Sequence, residues 1–325
     1  MPADPAVRDA ATGGRRCGFP GDASGDPTAR RTLTTLGGDP FSLAQTCGPV
    51  AWGGGRWPNV DWIDGALLWV GWEGEVAVCR RARDGGAGTV SVEGKAHPEF
   101  DLAWGRSVLG MGEACPNVAE EVPAALRLRF PGLRAFAYGS LFDGVVSSIV
   151  GQSISVASAA VTGRRLAALF HPGLAVLGRT FWPLPRADQL AHATPALVRT
   201  SGVTWRRADA LVAAGRAFAN GEGGGVATRS ADELRRWLRG LPLVGPWTAE
   251  SALLWGLGDG DAYPTGDVAL LRAARVAYDR PELDMKGLDR LAEGWRPHRG
   301  WVARLLWTAL LGTAPPEGAI VSATL

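Results

Sequence analysis

The chain has 325 residues, 46% hydrophobic and 20% charged, enough to bury a core and to divide into two or three domains. No apolar run reaches the ~20 residues that span a bilayer, and residues 1–31 lack the apolar core of a secretory signal, which predicts a cytoplasmic protein with no membrane partner. A formal net charge of +2 excludes recognition of nucleic acid by global charge, so any such partner requires a local surface.

Residues 1–31, rich in Ala, Gly, Pro, Asp and Arg without hydrophobic periodicity, read as a disordered tail. From 32 to 112, "GALLWVGWEGEVAVCRRARDGGAGTVSVEG" alternates with period two on both sides of a "DGGAG" turn, the pattern of an antiparallel hairpin in a small β-rich domain. From 113 to 325 the spacing becomes helical, as in "SLFDGVVSSIVGQSISVASAAVTGRRLAALF", where Leu141, Val145 and Ile149 share a face. The fold class expected is therefore α+β, a β-rich N-terminal domain followed by a mainly helical body. Cys17, Cys47, Cys79 and Cys115 contain no CxxC pair, so they predict neither a disulfide framework nor a metal cluster.

Residues 230–257 hold two helices joined by a tight turn. "SADELRRWLRG" is amphipathic, with Ser230 as N-cap and Gly240 as stop. In "LPLVGP", Pro242 and Gly245 make the turn, and Pro246 suits the first position of a second helix running to Leu257. Such a turn leaves backbone N–H groups at a helix N-terminus, where the macrodipole favours a phosphate. It also serves as a plain helical hairpin in a bundle. Asp267 lies between the loop "GDGDAYPTG" and the helical run "VALLRAARVAY". It reads as an ordinary N-cap, and equally as a carboxylate kept charged by helix N–H donors and able to stabilise a cation.

A hairpin of the form LPxVGPxTA, then a Gly/Pro loop and a GDVA segment, resembles the helix-hairpin-helix DNA glycosylase superfamily. "FDGVVSSIVGQSISVASAA" (142–160), "DALVAAGRAFANG" and "GWRPHRGWVARLLWTALLG" (294–312) are similar to helices of its 3-methyladenine DNA glycosylase II family. The resemblance covers about residues 120–312, with a weaker echo in the β-rich zone of a domain shared with 8-oxoguanine glycosylases.

The resemblance implies that Asp267 is the catalytic carboxylate and that Trp247 and Trp307 line the base pocket. An electron-rich ring face attracts a cationic alkylated purine, and one carboxylate stabilises the oxocarbenium-like sugar while water enters. It implies that the N–H groups of Leu243, Gly245 and Thr248 hold a DNA phosphate. The resemblance implies that Gln152 or Ser153 fills the gap left by the flipped nucleotide, or that the wedge is weak, since Ser153 stands where a bulkier residue is common. The carbonyls of Arg239, Leu241 and Val244 match a Na+ or K+ site, with no other cofactor required. Strand-cleaving relatives carry a lysine where this chain has Trp247; the two lysines here, Lys95 and Lys286, lie elsewhere, which implies a monofunctional enzyme. No cysteine follows Cys115, so no iron–sulfur cluster is expected. The function implied is excision of alkylated purines from damaged double-stranded DNA by a nucleoid-associated monomer. The alternatives are removal of oxidised bases such as 8-oxoguanine, or a catalytically silent DNA-binding protein of the same fold. Leu243 departs from the family, which has Gly there; in a left-handed conformation a leucine costs about 1–2 kcal/mol.

Overall fold

The structure is a computed structural model that describes residues 15–16, 29–35, 39–51, 57–86, 88–94, 98–112, 116, 122–222 and 228–311. Its strands are β1 (Arg15–Arg16), β2 (Ala29–Thr34), β3 (Val60–Ile63), β4 (Ala66–Glu73), β5 (Val76–Gly86), β6 (Thr89–Gly94), β7 (Leu174–Val176) and β8 (Arg179–Phe181). Its helices are α1 (Leu43–Ala51), α2 (Pro98–Ser107), α3 (Ala124–Arg129), α4 (Leu141–Gly151), α5 (Val156–Ala168), α6 (Ala187–His192), α7 (Pro195–Arg199), α8 (Trp205–Ala219), α9 (Ala231–Leu238), α10 (Pro246–Leu257), α11 (Val268–Ala277), α12 (Met285–Glu293) and α13 (Arg299–Leu311). This is the α+β fold expected.

The β-rich part is a five-stranded antiparallel sheet in the order β2-β6-β5-β4-β3. The hairpin expected around "DGGAG" is β5–β6, in which Ala82 pairs with Val92. Strand β4 is apolar on both faces because both are covered: Leu67 and Trp69 join one core with Leu43 and Trp104, while Leu68 and Val70 join a second with Leu174, Val176 and Phe181. That second core corrects one expectation. The body beyond residue 113 carries a short hairpin, β7–β8, whose turn residues Leu177 and Gly178 both have positive φ, and β1 pairs with β7 in parallel. Three residues are too few to display alternation. The tail boundary also moves. Arg15–Arg16 is a strand and β2 begins at Ala29, inside the segment read as disordered; the rest of residues 1–28 lies outside the described residues. Cys47 and Cys79 are buried free thiols, and Cys17 and Cys115 lie outside the described residues. The charge of Arg80 is buried between Trp69 and Trp104, its guanidinium 5.6 Å from each ring, and is met by Asp101 at 2.9 Å and by Glu73.

The helical body is held by one continuous apolar core from Val122 to Trp307. Its central pair is α4 and α10. They approach so closely that a Cβ on Gly144 would collide with the Ala252 carbonyl, and one on Gly256 would lie 2.7 Å from the Ser140 carbonyl oxygen. Leu141, Val145 and Ile149 are all buried, as their spacing predicts, each contributing roughly 1.5–3 kcal/mol by burial. The helical run then breaks at Gln152–Ser155. Ser153 takes φ 55, and Ser155 restarts the chain by capping α5 through Ser158 N. Because α4 and α10 run antiparallel, this break lies beside the start of α10.

Candidate active site and nucleic-acid interface

Helix α9 starts at a capping box: Ser230 Oγ accepts from Glu233 N, and Glu233 Oε2 accepts from Ser230 N at 2.7 Å. It stops at Arg239, and the turn is closed by Leu241 N to Leu238 O (3.0 Å) and Val244 N to Leu241 O (3.2 Å). Leu243 has φ 63. The left-handed conformation that favours Gly is therefore the one this leucine adopts. Gly245 is the N-cap of α10 and Pro246 its first residue. Among the described residues, the N–H groups of Leu243, Gly245 and Thr248 donate to no protein acceptor, and they sit at a helix N-terminus. The carbonyls of Arg239 and Val244 accept no hydrogen bond among the described residues, while Leu241 O accepts from Val244 N and keeps a second lone pair. This all-oxygen set fits a monovalent cation.

Helix α10 ends at Gly258 in the left-handed conformation, and the following loop carries the candidate carboxylate. That loop is tied at several points. Glu250 accepts from Tyr263 N (3.1 Å) and from Arg235 Nε (2.8 Å). Gly260 O accepts from Gly300 N and Trp301 N at the start of α13. Asp289 on α12 accepts from the Tyr263 hydroxyl (2.9 Å) and the Thr265 hydroxyl (3.1 Å). Burial, together with the Asp289 carboxylate it donates to, pushes the Tyr263 phenol far up. Gly266, at φ 81, then turns the chain into α11.

Asp267 emerges from this frame half-buried, at the N-cap of α11. Its Oδ1 accepts from Leu270 N at 2.7 Å, and its Oδ2 accepts from the indole Nε1 of Trp247 at 3.1 Å. Asp267 is thus the N-cap of α11 and at the same time the acceptor for the Trp247 indole. Val268 beside it is 73% exposed, so the carboxylate sits at a surface and not inside the core. Its oxygens retain lone pairs for a cationic centre or a water.

Trp307, on α13, is 8% exposed and stacks on Trp255 with ring centroids 5.6 Å apart and planes at 22°. No ring contact joins it to Trp247 among the described residues. The geometry thus brings Trp247 to Asp267, while Trp307 packs on Trp255. The guanidinium of Arg304 lies 4.5 Å from the Trp255 ring and donates to the Leu254 carbonyl. Burial lowers the pKa of Arg304. Trp255 was missed in the sequence, although Trp247, Ser251 and Trp255 stand at i, i+4 and i+8 of one helix.

Gln152 does not stand free as a wedge. Its Nε2 donates to the Leu243 carbonyl (2.9 Å) and the Thr248 hydroxyl (2.9 Å), while its own carbonyl accepts from Arg207. An amide so engaged cannot enter a base stack without breaking both bonds. Ser153 and Ile154, both exposed, are the residues the turn presents.

No protein-family model matches the chain. It is 29% identical over 248 residues to the probable bifunctional transcriptional activator/DNA repair enzyme AlkA of Mycobacterium tuberculosis, covering 72% of this chain and 42% of that protein. It is 27% identical over 192 residues to DNA-3-methyladenine glycosylase 2 of Escherichia coli, covering 59% of this chain and 66% of that one. The chain therefore spans about two-fifths of the length of the first relative. Among solved structures, the 3-methyladenine DNA-glycosylase from Archaeoglobus fulgidus superposes with a TM-score of 0.72 at 19% identity, covering 87% of this chain and 100% of that one. The 8-oxoguanine glycosylase/lyase of Clostridium acetobutylicum in its apo-form superposes with a TM-score of 0.66 at 18% identity, covering 87% and 98%.

Proposed function

We propose that this chain is a helix-hairpin-helix DNA glycosylase of the 3-methyladenine DNA glycosylase II type, similar to the relatives above, and a monofunctional enzyme excising alkylated purines from duplex DNA. The observation that carries the reading is the convergence of Trp247 and Asp267 at the mouth of the hairpin. The unpaired N–H groups of Leu243, Gly245 and Thr248 hold one phosphate of the damaged strand, a grip that carries no sequence information. A monovalent cation on the carbonyls of Arg239, Leu241 and Val244 adds positive charge beside that phosphate when bound.

The damaged base leaves the stack and rests against the indoles of Trp247 and Trp307, where a cationic purine gains ~0.5–2 kcal/mol from the ring faces. Its glycosidic bond is already weakened by the positive charge. Asp267 stabilises the charge that develops on the sugar as the bond breaks, and water adds to that centre. The products are the free base and an abasic site. Trp247 occupies the position of the amine in strand-cleaving relatives, so the abasic strand stays intact. The protein acts as a monomer in the cytoplasm, on nucleoid DNA.

A panel of duplexes, each with one defined lesion, tests this. Release of 3-methyladenine and 7-methylguanine is expected. Release of 8-oxoguanine alone would move the enzyme to the oxidised-base branch, and no release from any duplex would leave a DNA-binding protein of the same fold.

A further inference from the structure

The turn between α4 and α5 is fastened from two sides by one residue. The Gln152 amide nitrogen bonds the Leu243 carbonyl and the buried Thr248 hydroxyl, spanning 91 and 96 positions of chain, and Arg207 at the start of α8 holds the Gln152 carbonyl. Leu243 and Thr248 are two of the three hairpin residues whose N–H groups donate to no protein acceptor among the described residues. The next residue after Gln152, Ser153, is left-handed, and Ile154 beyond it is 37% exposed. One side chain therefore connects the hairpin to the Ser153–Ile154 turn.

We infer that Gln152 is a positioning residue: it acts as a strut that sets the Ser153–Ile154 turn at a fixed offset from the hairpin, so that gripping the backbone places the turn for opening the duplex. This rests on the glycosylase reading. A strut of this kind contributes little to holding DNA and much to what happens after it is held, because an ångström of misplacement at an insertion site costs far more than at a backbone contact. Leu243 adds a reason for the strut. Its carbonyl orientation is set by a left-handed backbone that leucine disfavours, and the Gln152 amide is the bond that fixes that carbonyl.

The test compares Gln152→Met, which keeps length and apolar stem but removes the donor, with the full wild-type chain. Three readouts are needed: affinity for undamaged duplex, affinity for the same duplex carrying a tetrahydrofuran abasic analogue, and fluorescence of a 2-aminopurine placed beside it, which rises on unstacking. The expected result is undamaged-duplex affinity within about twofold of wild type, with preference for the abasic analogue and the fluorescence rise both reduced about tenfold or more. Thr248→Val supplies the partner of a double-mutant cycle. If the hydroxyl acts through Gln152, the double variant is no worse in unstacking than the poorer single variant, and Thr248→Ser restores it. Equal unstacking by wild type and Gln152→Met overturns the strut alone, as does a loss of undamaged-duplex binding in the same proportion. A wild-type chain with no preference for the abasic analogue overturns the strut together with the glycosylase reading.

Discussion

The indole Nε1 of Trp247 donates to Oδ2 of Asp267 at 3.1 Å, joining the first turn of α10 to the N-cap of α11. The bond fixes both residues. On the proposed reading, Trp247 also puts an aromatic ring where strand-cleaving relatives carry the lysine that forms an imine. Borohydride is accordingly expected to trap no covalent adduct with damaged DNA, and the abasic product stays uncut until alkali is added. Lys286 is exposed on α12; adduct formed by wild type and lost in Lys286→Ala would contradict this.

The phosphate grip is tested cleanly at Gly245. A Cβ there meets nothing within 4 Å, so Gly245→Asp adds negative charge at the N-terminus of α10 without an internal clash. Binding should weaken by about tenfold for damaged and undamaged duplex alike, since the contact is to backbone. Titration of both duplexes by fluorescence anisotropy checks it. A loss confined to the damaged duplex would place Gly245 at the base instead.

Most of this site was legible because its signals are local. Ser230 with Glu233 and Asp267 before an apolar run each announce a helix start through a hydrogen bond spanning only a few residues, Pro246 after Gly245 does so through its fixed φ, and α10 runs over the residues expected, Pro246–Leu257. The Leu243 departure was also readable, because only backbone geometry decides it. What stayed hidden is long-range. Nothing near Gln152 in sequence reveals that its amide ends on Leu243 and Thr248, and nothing near Arg304 reveals that it lies under Trp255. The β7–β8 hairpin was lost for a different reason, its strands being too short to show a period.

Leu243 provides a test of backbone strain separate from packing. Gly and Ala both remove the side chain, but only Gly is at ease at φ 63. Leu243→Gly should therefore be more stable than Leu243→Ala by about 0.5–1 kcal/mol in denaturant melts. Equal stability of the two would show that the turn relaxes.

Asp143, in the first turn of α4, has its carboxyl pushed up to about 7 by burial, against the lowering effect of Ser140. An unfolded aspartate ionises near about 3.9, so between those values the native state keeps a proton that the unfolded state releases. Stability from this group is fully present below the lower value and falls as pH rises through the window. Asp143→Asn should thus gain on wild type by roughly 1–2 kcal/mol at pH 8, with the gap shrinking toward pH 4. Thermal melts of both proteins across that range measure it; a gap independent of pH would contradict the assignment.

Single-turnover base release by Asp267→Asn measures whether Asp267 stabilises developing charge at the sugar. Asparagine can still accept from Leu270 N, so the cap of α11 survives and the fold is not at issue. On duplex carrying 7-methylguanine, the rate is expected to fall about a hundredfold or more, with duplex affinity within about threefold of wild type. A variant that releases the base at the wild-type rate would contradict it.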